Sequence, residues 1–388
     1  MTKVGFISLG CSKNLVDTEV MLRSLHDAGY EITPDESEAE VIVVNTCGFI
    51  ESAKKESIDN ILDVAWLKKH EKCKHIIATG CLVERYREEV MKEMPEVDAL
   101  LGVGSLSHIV DALRAVECGE KYMSFEDKET SPLGGERLLT TPEYSAYLKI
   151  GEGCDNRCTY CAIPLIRGHF RSRPMESLVA EAKELEALGV KEINLIAQDS
   201  SRYGLDLYGE YKLAALVRRL TEETTIPWIR ILYCYPDKIT DELIEEYRTN
   251  DRLVKYIDLP IQHISDTVLE RMNRHGRKKL IVDTVNKLRE RVPGVVLRTT
   301  AMVGFPGETE EEFSELCEYV KAAKFDRFGA FTFSPEEGTV AATMDGQIDE
   351  QTKQDRYDTL MQTQLTVTEE LNARRIGSTL TVLTEGYD

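Results

Sequence analysis

The chain has 388 residues, 42% of them hydrophobic and 30% charged, with ten cysteines and a formal charge of −20. That length suits two or three domains with sizeable cores, and the balance excludes a disordered or fibrous chain. No apolar run reaches membrane-spanning length, and Met1-Thr2-Lys3-Val4 leads straight into a strand pattern without a basic and apolar leader, so the expectation is a cytoplasmic protein with no membrane partner. The acidic excess argues against a phosphate backbone as main substrate and for a basic partner. In that setting ten cysteines read as thiolate ligands and buried thiols rather than disulfides.

Residues 1–125 alternate short apolar strands (4–9, 41–45, 75–79, 99–101) with helical spacing (15–28, 52–69, 83–94). Such alternation with right-handed crossovers predicts a parallel sheet covered by helices. Three of the strands run into a cysteine: Ser8-Leu9-Gly10-Cys11, Val44-Asn45-Thr46-Cys47 and Ala78-Thr79-Gly80-Cys81. In a parallel sheet those ends share one edge, where open α/β sheets bind ligands. The pattern therefore gathers three distant thiols, enough to hold a cluster with one iron unclaimed. The competing reading is three small core residues, since free cysteine is often buried. Cys73, Cys118, Cys234 and Cys317 lack this placement.

Residues 126–145 are polar, with Pro132, Gly134, Gly135 and Pro142, and read as a linker, either a hinge or a surface connection. From 146 to 345 strands (147–150, 192–197, 228–232, 256–259, 295–303, 327–333) alternate again with helices (177–188, 213–222, 241–250, 279–292, 310–323). Six strands in this order fit a doubly wound sheet or a partial barrel, and in both the strand ends carry the site.

Between the first strand and helix lies Gly151-Glu152-Gly153-Cys154-Asp155-Asn156-Arg157-Cys158-Thr159-Tyr160-Cys161. Its C-x3-C-x2-C spacing can close on one metal centre only through a sharp turn, which the glycines permit. Soft thiolates favour an iron-sulfur cluster or zinc, and three leave one position open for chemistry. Structural zinc would need a fourth ligand from elsewhere, and the chain has no second knuckle.

Polar residues crowd the later strand ends. These are Gln198-Asp199-Ser200, Pro260-Ile261-Gln262-His263, Gly304 to Thr309 and Ser334 to Thr339. Thr309 with Glu312 reads as a capping box, and His263 as a fixed structural histidine. The basic run Arg167, His169, Arg171 and Arg173 reads as a solvated loop or as a group that steers an acidic ligand. Beyond residue 345, a packing helix over 352–375 shows apolar spacing at Tyr357, Leu360, Met361, Leu365, Val367 and Leu371, and 378–386 starts as a strand.

The C-x3-C-x2-C loop with an aromatic residue before its last cysteine resembles the signature of radical S-adenosylmethionine (SAM) enzymes. Together with the three-cysteine α/β region it resembles the methylthiotransferases. The runs Ser8-Leu9-Gly10-Cys11-Ser12-Lys13-Asn14-Leu15-Val16-Asp17, Asn45-Thr46-Cys47-Gly48-Phe49-Ile50 and Ala162-Ile163-Pro164-Leu165-Ile166-Arg167-Gly168 resemble the branch that modifies an aspartate of small-subunit ribosomal protein twelve. The branch acting on isopentenyl-adenosine in transfer RNA carries Gln-Met-Asn where this chain has Ser12-Lys13-Asn14.

The resemblance implies an N-terminal α/β domain (1–125), a linker (126–145), a radical SAM partial (β/α)6 barrel (146–345), a helix (346–375) and the first strand of a small TRAM-like β-barrel (376–388). It implies two four-iron four-sulfur clusters, one on Cys11, Cys47 and Cys81 and one on Cys154, Cys158 and Cys161. SAM would lie near Tyr160, with Gln198, Gln262 and Arg298 as further contacts. No protein side chain is expected as a catalytic acid or base, since a radical takes hydrogen from carbon without one. The implied partners are the ribosomal protein and a reductant such as flavodoxin or ferredoxin, with no direct transfer-RNA substrate and a monomeric enzyme. The competing functions are a transfer-RNA methylthiotransferase and, from another class, an iron-sulfur electron carrier or a zinc-stabilised interaction module.

Overall fold

The computed structural model describes residues 1–385. It divides into two compact units: Met1–Thr141, Gly151–Asp155 and Ala162–Arg173 form the first, and Pro142–Ile150, Asn156–Cys161 and the chain from Pro174 onward form the second.

The first unit holds a six-stranded parallel sheet of β1 (Lys3–Ser8), β2 (Glu31–Ile32), β3 (Val41–Thr46), β4 (His75–Gly80), β5 (Ala99–Leu101) and β6 (Tyr122–Ser124). Its spatial order is β2-β1-β3-β4-β5-β6. Val41 and Val43 point to one face, where Met21, Leu25, Leu113 and Val116 cover them; Ile42 and Val44 point to the other, against Ile61 and Val64. A strand buried on both faces must be apolar throughout, which is why 41–44 reads as a continuous run rather than an alternation. β2 and β6 escape a sequence reading because two or three residues cannot display a period.

Other features depart from expectation for local reasons. The helix expected over 83–94 is two, Cys81–Tyr86 and Glu88–Glu93, broken where Arg87 takes φ +43°. Arg87 is held there by Glu84, 3.1 Å away, and by stacking over Phe125. The stretch read as a linker is fastened to the first unit as far as Thr141: buried Glu19 accepts from Arg137 Nη1 at 2.8 Å and from the Thr140 amide at 2.9 Å. The chain after the cysteine loop returns to the same unit, where Arg171–Ser172 pairs antiparallel with Gly151–Glu152.

The second unit is a six-stranded parallel sheet of β7 (Ser145–Lys149), β8 (Glu192–Ile196), β9 (Trp228–Ile231), β10 (Leu253–Asp258), β11 (Val296–Val303) and β12 (Arg327–Thr332). Neighbours in space are neighbours in sequence from β7 to β12. A doubly wound sheet reverses its order midway; one that never reverses, with right-handed crossovers, keeps its helices on one face and curls into a partial barrel.

The helix Glu350–Arg375 buries Leu360 and Val367 of the expected apolar set, but Lys353, Arg356 and Gln364 are buried with them while Leu365 stays 49% exposed. The reason is polar docking: Gln364 Nε2 donates to the Phe325 carbonyl at 2.9 Å and Arg356 Nη1 to Glu308 Oε2 at 2.8 Å. Residues 378–385 hold no strand, and Gly386 lies outside the described residues. No described helix is long and apolar enough to cross a membrane.

Candidate metal centres and cofactor site

In the first unit the strand order turns back between β1 and β3, the crevice where doubly wound sheets bind ligands. Cys11 follows β1 and Cys47 follows β3, on either side of that point, and Cys81 follows the adjacent β4. Glycines let the ends close. A Cβ on Gly10, at φ +86°, would stand 2.7 Å from Cys47 Cβ and 2.8 Å from its Sγ; one on Gly48 would stand 2.9 Å from the Cys81 carbonyl carbon. Asn14 staples the first two ends, donating from Nδ2 to the carbonyls of Leu9 (2.8 Å), Asn45 (3.3 Å) and Thr46 (3.2 Å). Ser57 Oγ fixes Cys47 by accepting from its amide and donating to its carbonyl, both at 2.9 Å.

The three sulfurs feel one another. Burial pushes the Cys81 thiol up to about 11, with repulsion from Cys11 and Cys47 adding to it and Arg167 opposing it. Burial likewise raises Cys47. Cys11 is solvent-exposed; the protein crowding it disfavours its thiolate, but Lys13, Arg167 and the amides of Asn14 and Lys13 outweigh that and hold it below the ordinary value.

Of the basic run, only His169 is exposed, its Nδ1 2.8 Å from Asp155. Arg171 donates to the Ser131 carbonyl at 2.8 Å, and Arg173 is buried. Arg167 is 1% exposed, so the solvated-loop reading fails there. No local pattern hinted at this, because the acceptors that bury Arg167 include Asn14 and Asp17, some 150 residues away.

The C-x3-C-x2-C loop is braced along its length. The Cys154 amide donates to the Gly168 carbonyl at 3.0 Å, and Gly153, at φ +76°, admits no side chain because a Cβ would meet the His169 carbonyl at 1.9 Å. In the second unit, Thr159 donates its amide to Met272 O (3.1 Å) and its hydroxyl to Arg271 O (2.9 Å), while Asn273 Nδ2 donates to Arg157 O (2.9 Å). A buried network fixes Asn156: Lys238 Nζ donates to Asn156 Oδ1 (2.6 Å) and Asp199 Oδ2 (2.7 Å), which also accepts from Asn156 Nδ2 (2.8 Å). Cys158 is buried beside the Tyr235 hydroxyl, 3.6 Å away, and beside Arg274. Asn156 and Asp199 both stand in stretches singled out above; Lys238 and Arg274 carry no local signal.

Tyr160 packs edge-on to Phe305, ring centroids 6.5 Å apart; burial, then Cys158, push its hydroxyl well above its ordinary value. Gln198 follows β8, half-buried. Gln262 follows β10 in the left-handed region at φ +68°, where its amide donates to Thr300 O (2.9 Å) and its carbonyl accepts from Met302 N (2.7 Å). Arg298 is occupied by Asp258, Nη1 to Oδ1 2.7 Å. His263 is structural: it accepts at Nδ1 from the Ser265 amide and so donates from Nε2 to Glu308 Oε1, both at 3.0 Å. Thr309 and Glu312 form the expected capping box.

These residues fit the implied groups. Each trio is all sulfur, the donor set that iron-sulfur clusters take. No three described His, Cys, Asp or Glu side chains converge as ligands of a single ion, and thiolates that each bind a different iron of a cubane stand farther apart than ligands sharing one metal. In the second unit, Gln262 Oε1, Arg274 Nη1 and Ser200 Oγ are buried with no hydrogen-bond partner among the described residues. Buried polar atoms in folded proteins are generally hydrogen-bonded, so these unpartnered ones are suited to a polar ligand such as SAM.

Comparison with known proteins agrees with this geometry. Residues 3–102 match the uncharacterized protein family UPF0004, and residues 148–320 the radical SAM superfamily. The chain is 51% identical, over 99% of its length and 87% of the relative's, to the ribosomal protein uS12 methylthiotransferase RimO of Desulforamulus reducens. The protein of that name from Clostridium perfringens is 51% identical over 100% of this chain and 87% of its own, and that from Thermoanaerobacter sp. 47% over 100% and 89%. Among solved structures, the radical SAM methyltransferase TsrM of Kitasatospora setae, with cobalamin and a [4Fe-4S] cluster bound, aligns with TM-score 0.63 at 15% identity, covering 88% of this chain and 77% of that one. The cobalamin-dependent radical SAM enzyme OxsB aligns with TM-score 0.57 at 12% identity, covering 95% and 56%. At such identities these two structures speak for the fold alone.

Proposed function

The chain belongs to the family of ribosomal protein uS12 methylthiotransferases, and from that premise we propose that it methylthiolates the β-carbon of an aspartate in small-subunit ribosomal protein twelve. The observation that carries this reading is the chain's possession of two all-thiol trios, Cys11, Cys47 and Cys81 at the crevice of one sheet and Cys154, Cys158 and Cys161 in one loop.

Cys154, Cys158 and Cys161 would hold one [4Fe-4S] cluster and Cys11, Cys47 and Cys81 the other. When bound, the clusters and SAM supply hydrogen-atom abstraction from an unactivated carbon and a methyl-bearing sulfur. The chain's own residues bind, orient and enclose. Tyr160 offers an apolar ring beside the loop, and Gln262 offers an acceptor already desolvated; Gln198 and Arg298 complete the proposed SAM contacts. Asp199 and Lys238 hold the loop through Asn156, and no side chain is proposed as a general acid or base. The enzyme is proposed to work in the cytoplasm as a monomer, fed electrons by a flavodoxin or ferredoxin. Its acidity suits a basic ribosomal protein better than transfer RNA.

The test is mass spectrometry of the ribosomal protein after incubation with anaerobically reconstituted enzyme, SAM, reductant and a sulfur source. The expected result is one methylthio group on an aspartate, with about eight irons and eight acid-labile sulfides per chain. SAM cleavage without that gain would sink the substrate. Methylthiolation of isopentenyl-adenosine instead would establish the transfer-RNA reading, and a colourless zinc protein would end the enzyme reading.

A further inference from the structure

A guanidinium is buried only where acceptors meet its fork, because desolvating it alone costs several kcal/mol. Arg167 meets that condition in the first unit. Its Nη1 donates to Asp17 Oδ2 and Glu152 Oε2, and its Nη2 to Asn14 Oδ1, each at 2.9 Å. Ala162 and Ile166, in the turn that carries Arg167, pack against Cys81. The Asn14 it grips is the amide that ties down the carbonyls of Leu9, Asn45 and Thr46, just ahead of Cys11 and Cys47. One cation thus sits in the turn packed on the third cysteine and reaches the backbone before the other two through a single side chain.

We propose that Arg167 is a positioning residue for the cluster assigned to Cys11, Cys47 and Cys81, bracing the strand ends through Asn14 and raising the cluster's reduction potential by a buried positive charge beside the trio. The inference rests on that cluster assignment. A positive charge near the sulfurs favours the reduced, more negative cluster and so raises its potential. Asp17 and Glu152 anchor the fork; with Arg167 neutral they would leave two buried negative charges beside the thiolates.

The experiment uses the full chain carrying Cys154→Ala, Cys158→Ala and Cys161→Ala, so that only the other trio can bind a cluster. It is loaded anaerobically with iron and sulfide and titrated redox-wise by electron paramagnetic resonance. Arg167→Met is made in that background, and Asp17→Asn, whose amide oxygen still accepts from Arg167, is made separately. At the parent midpoint Arg167→Met should show at least a tenfold lower ratio of reduced to oxidised cluster, about 59 mV for one electron, while Asp17→Asn moves the opposite way. An unmoved midpoint in folded, loaded Arg167→Met overturns the proposal. If that variant does not fold, an unmoved midpoint in Asp17→Asn overturns it alone. A folded parent that takes up no iron would instead remove the cluster assignment, and the proposal with it.

Discussion

Both cysteine trios present three sulfurs, but they are assembled by opposite means. Cys11, Cys47 and Cys81 come from three strand ends, and the ladders pairing β1 with β3 and β3 with β4 set their spacing before any iron arrives. Cys154, Cys158 and Cys161 come from one short loop whose shape depends on braces: Gly168 at one end, and Met272, Asn273 and the Lys238–Asp199 pair further along. Each trio has one buried arginine near it. Arg167 is anchored by two carboxylates, whereas Arg274 leans on the Pro260 carbonyl and the Tyr235 ring. A site made by a sheet tolerates little at its strand ends; a site made by a loop depends on what grips the loop.

The widest separation should come from emptying each trio in turn. Replacing Cys11, Cys47 and Cys81 by alanine should abolish methylthio product and halve bound iron to about four per chain while SAM cleavage persists. Replacing the loop trio should abolish both reactions. Iron analysis with chromatography of cleaved SAM separates the cases, and loss of SAM cleavage in the first variant would break the division of labour.

Next in size is Lys238→Met, which leaves Asp199 buried without its cation. Removing one partner of a buried pair costs about 3–5 kcal/mol, to be read as a lowered denaturation midpoint. Iron loading at the loop should fall with it; unchanged loading would mean the cluster alone shapes the loop.

Gly80→Ala probes the sheet-made site in the same way. Gly80 sits at φ +93°, and a Cβ there would stand 2.4 Å from Asn45 Oδ1 and 2.5 Å from the Thr46 carbonyl. The backbone strain alone is about 1–3 kcal/mol, before overlap is counted. A melting temperature equal to the parent's would contradict a rigid sheet edge.

The smallest effect is expected at Gln262→Leu, which removes an unpartnered Oε1 and should barely change stability. Loss of one hydrogen bond to SAM should weaken its binding about tenfold. Calorimetric titration of SAM into loaded enzyme checks it, and an unchanged Kd would take Gln262 out of the cofactor site.

What the chain by itself determined is whatever is local. Cysteines four and three residues apart are neighbours in any fold, so the cysteine loop reads as a candidate metal site from sequence alone. The strand-helix alternation dictated parallel sheets, and three cysteines after three strands dictated their meeting, because parallel strands end on one edge. Thr309 with Glu312 was equally plain, a cap formed within four residues.

Only the tertiary structure decided the rest. It chose the unreversed order β7 to β12 over a doubly wound sheet, folded 126–141 onto Glu19, and turned the loop arginine Arg167 inward to Asn14, Asp17 and Cys81. It also bent Gln262 into a left-handed backbone that Thr300 and Met302 must restrain. Each of these outcomes is set by hydrogen bonds and burial shared between residues tens to more than a hundred positions apart, an energy that no local window of sequence contains.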